Sequence, residues 1–155
     1  MTLDPREPGA DTSWATFRRQ APDLARAITA RFHAHRHHIL GTLRADGAPR
    51  LSGIEVEVAD HGVRIGMMAG SQKLADVRRD PRVELHSAPL EAVLAAGDAR
   101  LSGRVVALAT PPPGHPDAGH FALLLERAVL VRVDADQLVV RSWAEAGGVR
   151  EQRRR

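Results

Sequence analysis

The sequence predicts a mainly β protein, a small β-barrel with flanking helices formed by a single domain. Two observations carry this prediction. From residue 38 onward, apolar residues alternate with polar ones in six or seven short runs, and turn-forming residues separate the runs. Internal segment 72–79 has a helical pattern, and residues 89–96 are ambiguous, with a short helix as one interpretation. Most strands are therefore joined by short connections, which favours an antiparallel barrel over βαβ units.

The N-terminal part is predicted to be a leader followed by two helices. Residues 1–12 are rich in Pro, Gly and Asp, which predicts a mobile leader. Ser13 is suited to cap a first helix that contains Trp14 and Phe17. Pro22 suits the first turn of a second helix. The apolar stripe of that helix consists of Leu24, Ala25, Ile28 and Phe32.

Seven apolar runs predict the barrel strands. They are residues 38–43, 50–59, 63–68, 82–86, 100–108, 121–133 and 138–143. Asp46-Gly47 lies between the first two runs, and this dipeptide is a strong hairpin signal. The domain is predicted to cover 13–145 and to be followed by a basic tail, 146–155, whose last three residues, 153–155, are predicted to be solvated and disordered.

The composition excludes several classes of function. The absence of Cys excludes disulfides, a thiolate nucleophile and thiolate metal ligands. The first residues do not form a signal peptide, and no stretch approaches the ~18 consecutive apolar residues of a membrane span. We therefore expect a cytoplasmic protein with no membrane partner.

The basic pI of about 10.8 does not indicate a nucleic-acid partner. The formal net charge is only +3, and the terminal run 150–155 carries much of the excess. Aromatic residues make up 3% of the chain, which leaves few side chains on which bases could stack. We expect a small-molecule substrate and no nucleic-acid partner.

Lys73 is the only lysine of the chain, and it lies at the start of the predicted helix 72–79, directly after a predicted strand and Gly70. The free N–H groups of a helix N-terminus favour anions, and a lysine ammonium adds a compact positive charge. Ser71 is placed to cap this helix. The arrangement predicts a phosphate site, and the alternative is an ordinary helix start with a surface lysine.

Two glycines, Gly53 and Gly66, lie inside neighbouring predicted strands. Glycine weakens a strand but lets a ligand approach the backbone closely. If the turn at residues 60–62 pairs the two strands, both glycines fall near Lys73. The pattern indicates a flat ligand beside the phosphate site, and two ordinary β-bulges are the alternative.

The order of these elements resembles the pyridoxamine 5'-phosphate oxidase-like family, the flavin-binding split barrels. The resemblance extends over residues 27–143 and is clearest over 43–86. It is carried by the hairpin TLRADGAPRLSGIEV, the stretch GVRIGMMAGSQKLADVRRDPRVELH and the strand ARLSGRVV. The second stretch contains three motifs of the family. Ser71-Gln72-Lys73 matches its Ser-x-Lys, and Leu74-Ala75-Asp76-Val77 matches its helix with Leu or Val. Asp80-Pro81-Arg82-Val83 matches its Asn/Asp-Pro-Arg-Val.

The resemblance implies a split barrel that binds FMN across a homodimer interface and transfers hydride or electrons between the flavin and a small molecule. A subgroup of the family uses a deazaflavin coenzyme instead, and the sequence is similar to both groups. The implied cofactor-binding residues are Arg50, Leu51, Ser52, Gly53 and Ile54, then Gly66, Met67 and Met68, then Ser71, Gln72 and Lys73, and finally Trp143, which the other subunit would contribute.

Several positions depart from the family's pattern. Gln72 occupies the position of an arginine that binds the FMN phosphate in the oxidases, and Asp98 occupies the position of a glutamine. Leu51 and Val56 occupy the positions of an arginine and a lysine. The C-terminal Arg-Leu-x-Pro that holds pyridoxal phosphate has no counterpart. We therefore do not expect vitamin B6 oxidation, and a non-enzymatic flavin- or haem-binding module is the opposing hypothesis.

The histidines at residues 33–38 are not predicted to form a metal site. His33 and His37 share a helical face, but arginine is interleaved, so a solvated helix end is the simpler interpretation. Haem, ligated by one of these histidines or by His86, is a less favoured cofactor than FMN or the deazaflavin coenzyme. Two glutamates of the second hairpin strand are expected to face solvent or the partner subunit, so no catalytic residue is assigned.

Overall fold

The computed structural model describes residues 12–89 and 95–155, which form three helices and eight strands. The helices are α1 (Ser13–Gln20), α2 (Pro22–His33) and α3 (Gln72–Arg79). The strands are β1 (His37–Leu43), β2 (Pro49–Ala59), β3 (Gly62–Met67), β4 (Arg82–His86), β5 (Asp98–Ala107), β6 (Gly119–Asp134), β7 (Gln137–Ala144) and β8 (Gly148–Arg154). The predicted leader, apart from Thr12, lies outside the described residues. Within the described ranges, no helix has the length and apolar character that crossing a membrane requires.

The strands form one antiparallel sheet in the order β3-β2-β1-β4-β5-β6-β7-β8. The sheet closes on itself because β3 also pairs with β6, which sets Ile65 opposite Phe121. The first six strands therefore form a closed barrel, and β7 and β8 extend the sheet beyond it. The predicted split barrel is confirmed, with one strand more than the seven apolar runs indicated.

Strand β3 shows how the alternation of the sequence positions the two faces of the barrel. Val63, Ile65 and Met67 are buried inside the barrel, whereas Arg64 and Gly66 face outward. The outward residues of β3 are therefore free to line a surface cleft, while the inward residues hold the strand in place.

Helices α1 and α2 close one part of the barrel with their apolar faces. Phe17, Leu24 and Ile28 have no solvent exposure. Trp143 of β7 packs against Phe17 with ring centroids 4.9 Å apart. Burying a large apolar side chain stabilises a fold by ~1.5–3 kcal/mol, so these contacts anchor the helices firmly.

The predicted disorder of the chain end, residues 153–155, is wrong for Arg153 and Arg154, which belong to strand β8 (Gly148–Arg154). This strand pairs with seven of the eight residues of β7, from Ala144 opposite Gly148 to Leu138 opposite Arg154. Apart from Val149, its side chains are polar, and most of them are exposed, so β8 has no apolar alternation that a sequence pattern could reveal. The strand forms because the backbone groups of β7 are available for pairing.

The start of α1 also differs from the prediction. Thr12, not Ser13, occupies the N-cap position, and Ser13 is the first helical residue. The Ser13 hydroxyl oxygen instead accepts a hydrogen bond from the amide of Leu125 at 2.9 Å. Ser13 therefore ties α1 to the barrel strand β6.

Candidate functional site

The site begins where β3, a short turn and α3 follow one another. The amide of Ser71 donates to the carbonyl of Met68 at 3.2 Å, which closes the turn. Gly70 has a φ of +73°, a left-handed conformation that favours glycine. The turn brings the N-terminus of α3 close to the middle of β2.

Lys73 connects α3 to β2. Its Nζ donates a hydrogen bond of 2.7 Å to the carbonyl oxygen of Gly53. A Cβ built on Gly53 would meet no atom within 4 Å, so the strand is open to solvent at this point. The ammonium group of the single lysine therefore lies beside an uncovered stretch of β2 backbone.

Ser71 occupies the N-cap position of α3 in an extended conformation, but its side chain makes no capping hydrogen bond. The predicted capping role of Ser71 is therefore wrong. Its Oγ is buried and has no hydrogen-bond partner in the part of the chain that the structure describes. A buried hydroxyl at a helix N-terminus that lacks a partner is suited to an anionic ligand.

Beneath this helix start, Asp76 is buried and accepts three hydrogen bonds. Thr42 Oγ1 and Arg50 Nε both donate to Oδ2 at 2.7 Å, and Arg79 Nη2 donates to Oδ1 at 3.0 Å. Burial raises the pKa of Asp76, but the hydrogen bonds from Arg50, Thr42 and Arg79 outweigh it and lower the pKa to about 2. Asp76 is therefore ionised and holds Arg50 in one position.

Arg50 also reaches the first residue of α3. Its Nη1 donates to the side-chain oxygen of Gln72. Gln72 lacks the charge of the arginine that it replaces in the family pattern, but it accepts a hydrogen bond from a neighbouring arginine. The helix start thereby gains a guanidinium group from β2.

These groups border a small depression, which we call the basic cleft. It has a volume of about 300 Å³ and is lined by Arg44, Arg50, Leu51, Ser52, Ser71, Gln72 and Lys73. Three of these residues are cationic and none is acidic. The basic cleft is therefore suited to a phosphate group.

A second depression, the long cleft, continues from the basic cleft at Lys73. Its volume is about 590 Å³. It is lined by His37, Gly53, Ile54, Glu55, Val56, Glu57, Arg64, Ile65, Gly66, Met68, Lys73, Leu108, Pro112 and His120. Gly53 and Gly66 leave the strand backbone bare, and Met68, 78% exposed, presents an apolar side chain at its edge. A flat molecule attached to a phosphate would fit along the two clefts together.

Ten of the twelve predicted cofactor-binding residues line these two clefts. They are Arg50, Leu51, Ser52, Gly53, Ile54, Gly66, Met68, Ser71, Gln72 and Lys73. The Met67 side chain points into the barrel and is 2% exposed, so only its backbone lies near the clefts.

The structure argues against the prediction for Trp143. Its side chain is 1% exposed, and its Nε1 donates to Gln20 Oε1 at 2.9 Å. Trp143 of β7 packs against α1, and it lines neither cleft. An aromatic residue near the C-terminus matched the family pattern, but packing against Phe17 makes this one part of the core.

Arg44, Arg64 and His120 are among the cleft residues that sequence reasoning missed. Arg44 lies in the β1–β2 turn, beside the predicted hairpin signal. Arg64 and His120 share a cleft only because β3 pairs with β6, where Gly66 lies opposite His120. That pairing closes the barrel over a long stretch of chain, and no local pattern indicates it.

The histidines at residues 33–38 point in different directions. The ring of His38 is buried, with Nε2 2.9 Å from the carbonyl oxygens of Phe32 and His35, and its Nδ1 accepts from the amide of Ala88. Burial lowers the pKa of His38. His33 Nε2 lies 2.8 Å from the carbonyl oxygen of Val58. Within residues 12–89 and 95–155, no three ligating side chains converge on a possible metal position.

A third depression, the outer groove, lies on the outside of the sheet next to the basic cleft. Its volume is about 470 Å³. It is lined by Ile39, Gly41, Thr42, Leu43, Pro49, Leu51, Arg82, Val83, Glu84, His86, Arg100 and Ser102. Leu51 is 74% exposed and lines both the outer groove and the basic cleft.

Comparisons of sequence find no relative: no family model matches the chain, and no curated protein matches it. Comparisons of structure do find similar proteins. PhzG from Burkholderia lata, solved with tetrahydrophenazine-1-carboxylic acid, has a TM-score of 0.65 at 13% identity, over 97% of this chain and 95% of that one. A putative pyridoxamine 5'-phosphate oxidase from Listeria innocua has a TM-score of 0.55 at 13% identity, over 66% and 94% of the two chains.

General stress protein 26 from Bacillus anthracis is similar too, with a TM-score of 0.55 at 15% identity over 70% of this chain and 97% of that one. At such identities these likenesses show the fold. The chain is a split barrel. More particularly, its fold is that of pyridoxamine 5'-phosphate oxidase-like and general stress protein 26 proteins, which confirms the resemblance at the level of the fold.

Proposed function

We propose that this protein is a flavin-binding oxidoreductase that uses FMN, with the phosphate in the basic cleft and the ring system along the long cleft. The observation that carries the proposal is the buried Ser71 hydroxyl, which has no partner among the described residues and lies at the start of α3 beside Lys73. A phosphate oxygen is the acceptor that this hydroxyl lacks.

The charged groups of the basic cleft support a phosphate. Lys73 Nζ has three N–H donors and uses one on Gly53, so two are available to a ligand. Arg50 uses Nε on Asp76 and Nη1 on Gln72, and its Nη2 makes no hydrogen bond to the described residues. Asp76 orients Arg50 from below, where its carboxylate does not face an entering anion.

The long cleft suits the rest of the cofactor. Gly53 and Gly66 expose β2 and β3 backbone, to which the polar edge of a flavin ring can hydrogen-bond. Met68 lines the long cleft and Leu51 lines the basic cleft, and both are exposed apolar side chains. FMN, when bound, supplies the hydride or electron transfer, and the protein supplies binding, orientation and electrostatics.

We further propose that the protein is a homodimer, with the outer groove as the interface. A second copy seated there would cover Leu51, which would otherwise expose a large apolar side chain, and would shield the adjoining basic cleft from solvent. Leu51→Glu is expected to convert a dimer into a monomer in analytical ultracentrifugation. A wild-type protein that is monomeric at high concentration contradicts this part of the proposal.

The proposal is tested by adding FMN, a deazaflavin coenzyme and haem separately to the apo-protein. Calorimetry measures each affinity, and the absorption spectrum of the purified protein identifies any cofactor that it retains. We expect FMN to bind at one site per chain. Tight binding of the deazaflavin or haem alone would reassign the cofactor, and binding of none of the three overturns the proposal.

Lys73→Ala is the matched test of the phosphate site. We expect FMN to bind about tenfold to a hundredfold more weakly, because a charge-assisted contact worth ~1.5–3 kcal/mol is lost. Riboflavin, which lacks the phosphate, should bind the variant and the wild type equally. Arg78→Ala removes an exposed cation of α3 that lines neither cleft and serves as the control. An unchanged FMN affinity in Lys73→Ala contradicts the assigned role.

A further inference from the structure

Arg64 of β3 and His120 of β6 are diagonal neighbours on the outer face of the barrel. In the register of the two strands, Arg64 lies opposite Ala122, and Gly66 lies opposite His120. A Cβ on Gly66 would lie 3.3 Å from His120 Nδ1, so the glycine leaves room for the imidazole ring. Both side chains line the long cleft.

The donors of this pair have no acceptor in the described part of the chain. Arg64 Nε is buried and makes no hydrogen bond there. The described residues also provide no ion pair to the Arg64 guanidinium and no hydrogen bond to the His120 ring. A guanidinium nitrogen that is shielded from water and lacks an acceptor is unfavourable unless a ligand supplies one.

The acidic residues of the same cleft are engaged elsewhere. Glu57 lies opposite Arg64 across the strands, but its Oε1 is 2.8 Å from His61 Nε2. Glu55 pairs with Arg36 at 3.0 Å. The positive charge of Arg64 is therefore not neutralised by an ion pair with either glutamate.

We propose that Arg64 and His120 form an anion subsite that binds the carboxylate of the substrate. This inference rests on the proposed function, since the subsite opens into the cleft assigned to the flavin ring. A guanidinium group binds both oxygens of a carboxylate, and an imidazole N–H can donate a further hydrogen bond. Met68, Leu108 and Pro112 line the same cleft, so the substrate class is a small carboxylic acid with an apolar or aromatic body.

The test compares benzoate with benzamide, which has the same ring and no charge. Each is titrated into the FMN-loaded protein, where the flavin difference spectrum reports binding, and into the apo-protein, where NMR follows the His120 ring resonances. We expect benzoate to bind more tightly than benzamide. Arg64→Gln should weaken benzoate binding roughly tenfold to a hundredfold and leave the affinity for benzamide unchanged.

Two further variants make the result decisive. Arg64→Lys keeps the charge without the planar fork and should lose less benzoate affinity than Arg64→Gln. Arg78→Gln removes an exposed arginine of α3 outside both clefts and should change nothing. If Arg64→Gln fails to fold, as judged by circular dichroism, His120→Gln takes its place, with a smaller expected loss.

The subsite is overturned if the wild type binds benzoate no better than benzamide, or if the charge-removing variant retains full benzoate affinity. Failure of FMN to bind overturns the proposed function instead. The titration of the apo-protein with benzoate then still decides whether the anion subsite exists.

Discussion

Arg50 of β2 and the buried Asp76 of α3 are joined by a hydrogen bond of 2.7 Å from Nε to Oδ2. This bond couples the second strand of the hairpin to the helix that begins at the basic cleft. The same guanidinium reaches Gln72. A buried carboxylate beneath the cleft therefore positions a cation at its surface, and two elements that are distant in sequence form one site.

Asp76→Asn is predicted to lower the free energy of unfolding by about 2–3 kcal/mol. The amide is uncharged and cannot accept strongly from Thr42, Arg50 and Arg79 together, which leaves partly buried donors without an acceptor. Urea denaturation measures the change.

Glu126→Gln is the control for this variant, because Glu126 forms an exposed ion pair with Arg104 at 3.3 Å. The control should change stability by less than about 0.5 kcal/mol. Equal stabilities of Asp76→Asn and Glu126→Gln would show that the carboxylate beneath the cleft is not structural.

The stability of the protein is predicted to fall on acidification because of His38. The pKa of His38 is lowered below its ordinary value of 6.5, so the folded protein holds this ring neutral while the unfolded chain protonates it. The contribution of His38 is complete above about pH 6.5 and is lost as the pH falls from there toward the lowered pKa. Chemical denaturation at several pH values between 7.5 and 5 measures the slope.

His38→Gln should be less stable than the wild type at pH 7.5, and the difference should shrink as the pH falls. His35→Gln is the matched control, because the His35 side chain is exposed and its backbone carbonyl remains. A difference between wild type and His38→Gln that stays constant with pH contradicts the neutral, buried state of the ring.

Trp143→Phe is predicted to reduce stability and to leave FMN binding unchanged. The substitution removes the hydrogen bond to Gln20 and some of the core volume packed against Phe17, at a cost of about 1–2 kcal/mol. Thermal unfolding and FMN titration of the same sample separate the two effects. A loss of FMN affinity without a loss of stability would show that Trp143 contributes to cofactor binding after all.

Strand β8 is predicted to protect its backbone amides from hydrogen exchange. Residues 148–154 pair with residues 138–144 of β7, whereas residues 111–117 form an exposed connection. Exchange measured by mass spectrometry should be slower in peptides that cover β8 than in those that cover this connection. Exchange in β8 as fast as in an unfolded peptide would show that residues 148–154 do not form a stable strand.

Local sequence patterns predicted those parts of the fold and of the site that depend on residues close together in the chain. The hairpin strands, the helix at Gln72–Arg79 and the junction at Ser71–Lys73 follow from alternation and from turn residues that act over a few neighbours. Strand β8 could not be predicted in this way, because Val149 is its only large apolar residue and no apolar alternation results. Its conformation comes from pairing with β7.

The sequence by itself determined the barrel elements and placed Lys73 at a helix start beside two glycine-containing strands, because each of these features depends on neighbouring residues. Only the tertiary structure decided that Arg50 reaches Gln72, that Arg64 and His120 share a cleft, and that Trp143 belongs to the core. Those contacts join distant stretches of chain, as the pair Trp143–Gln20, 123 residues apart, illustrates. The physical causes are the packing of α3 beside β2 for Arg50, the closure of β3 on β6 for Arg64 and His120, and the packing of α1 on the barrel for Trp143, none of which a local pattern encodes.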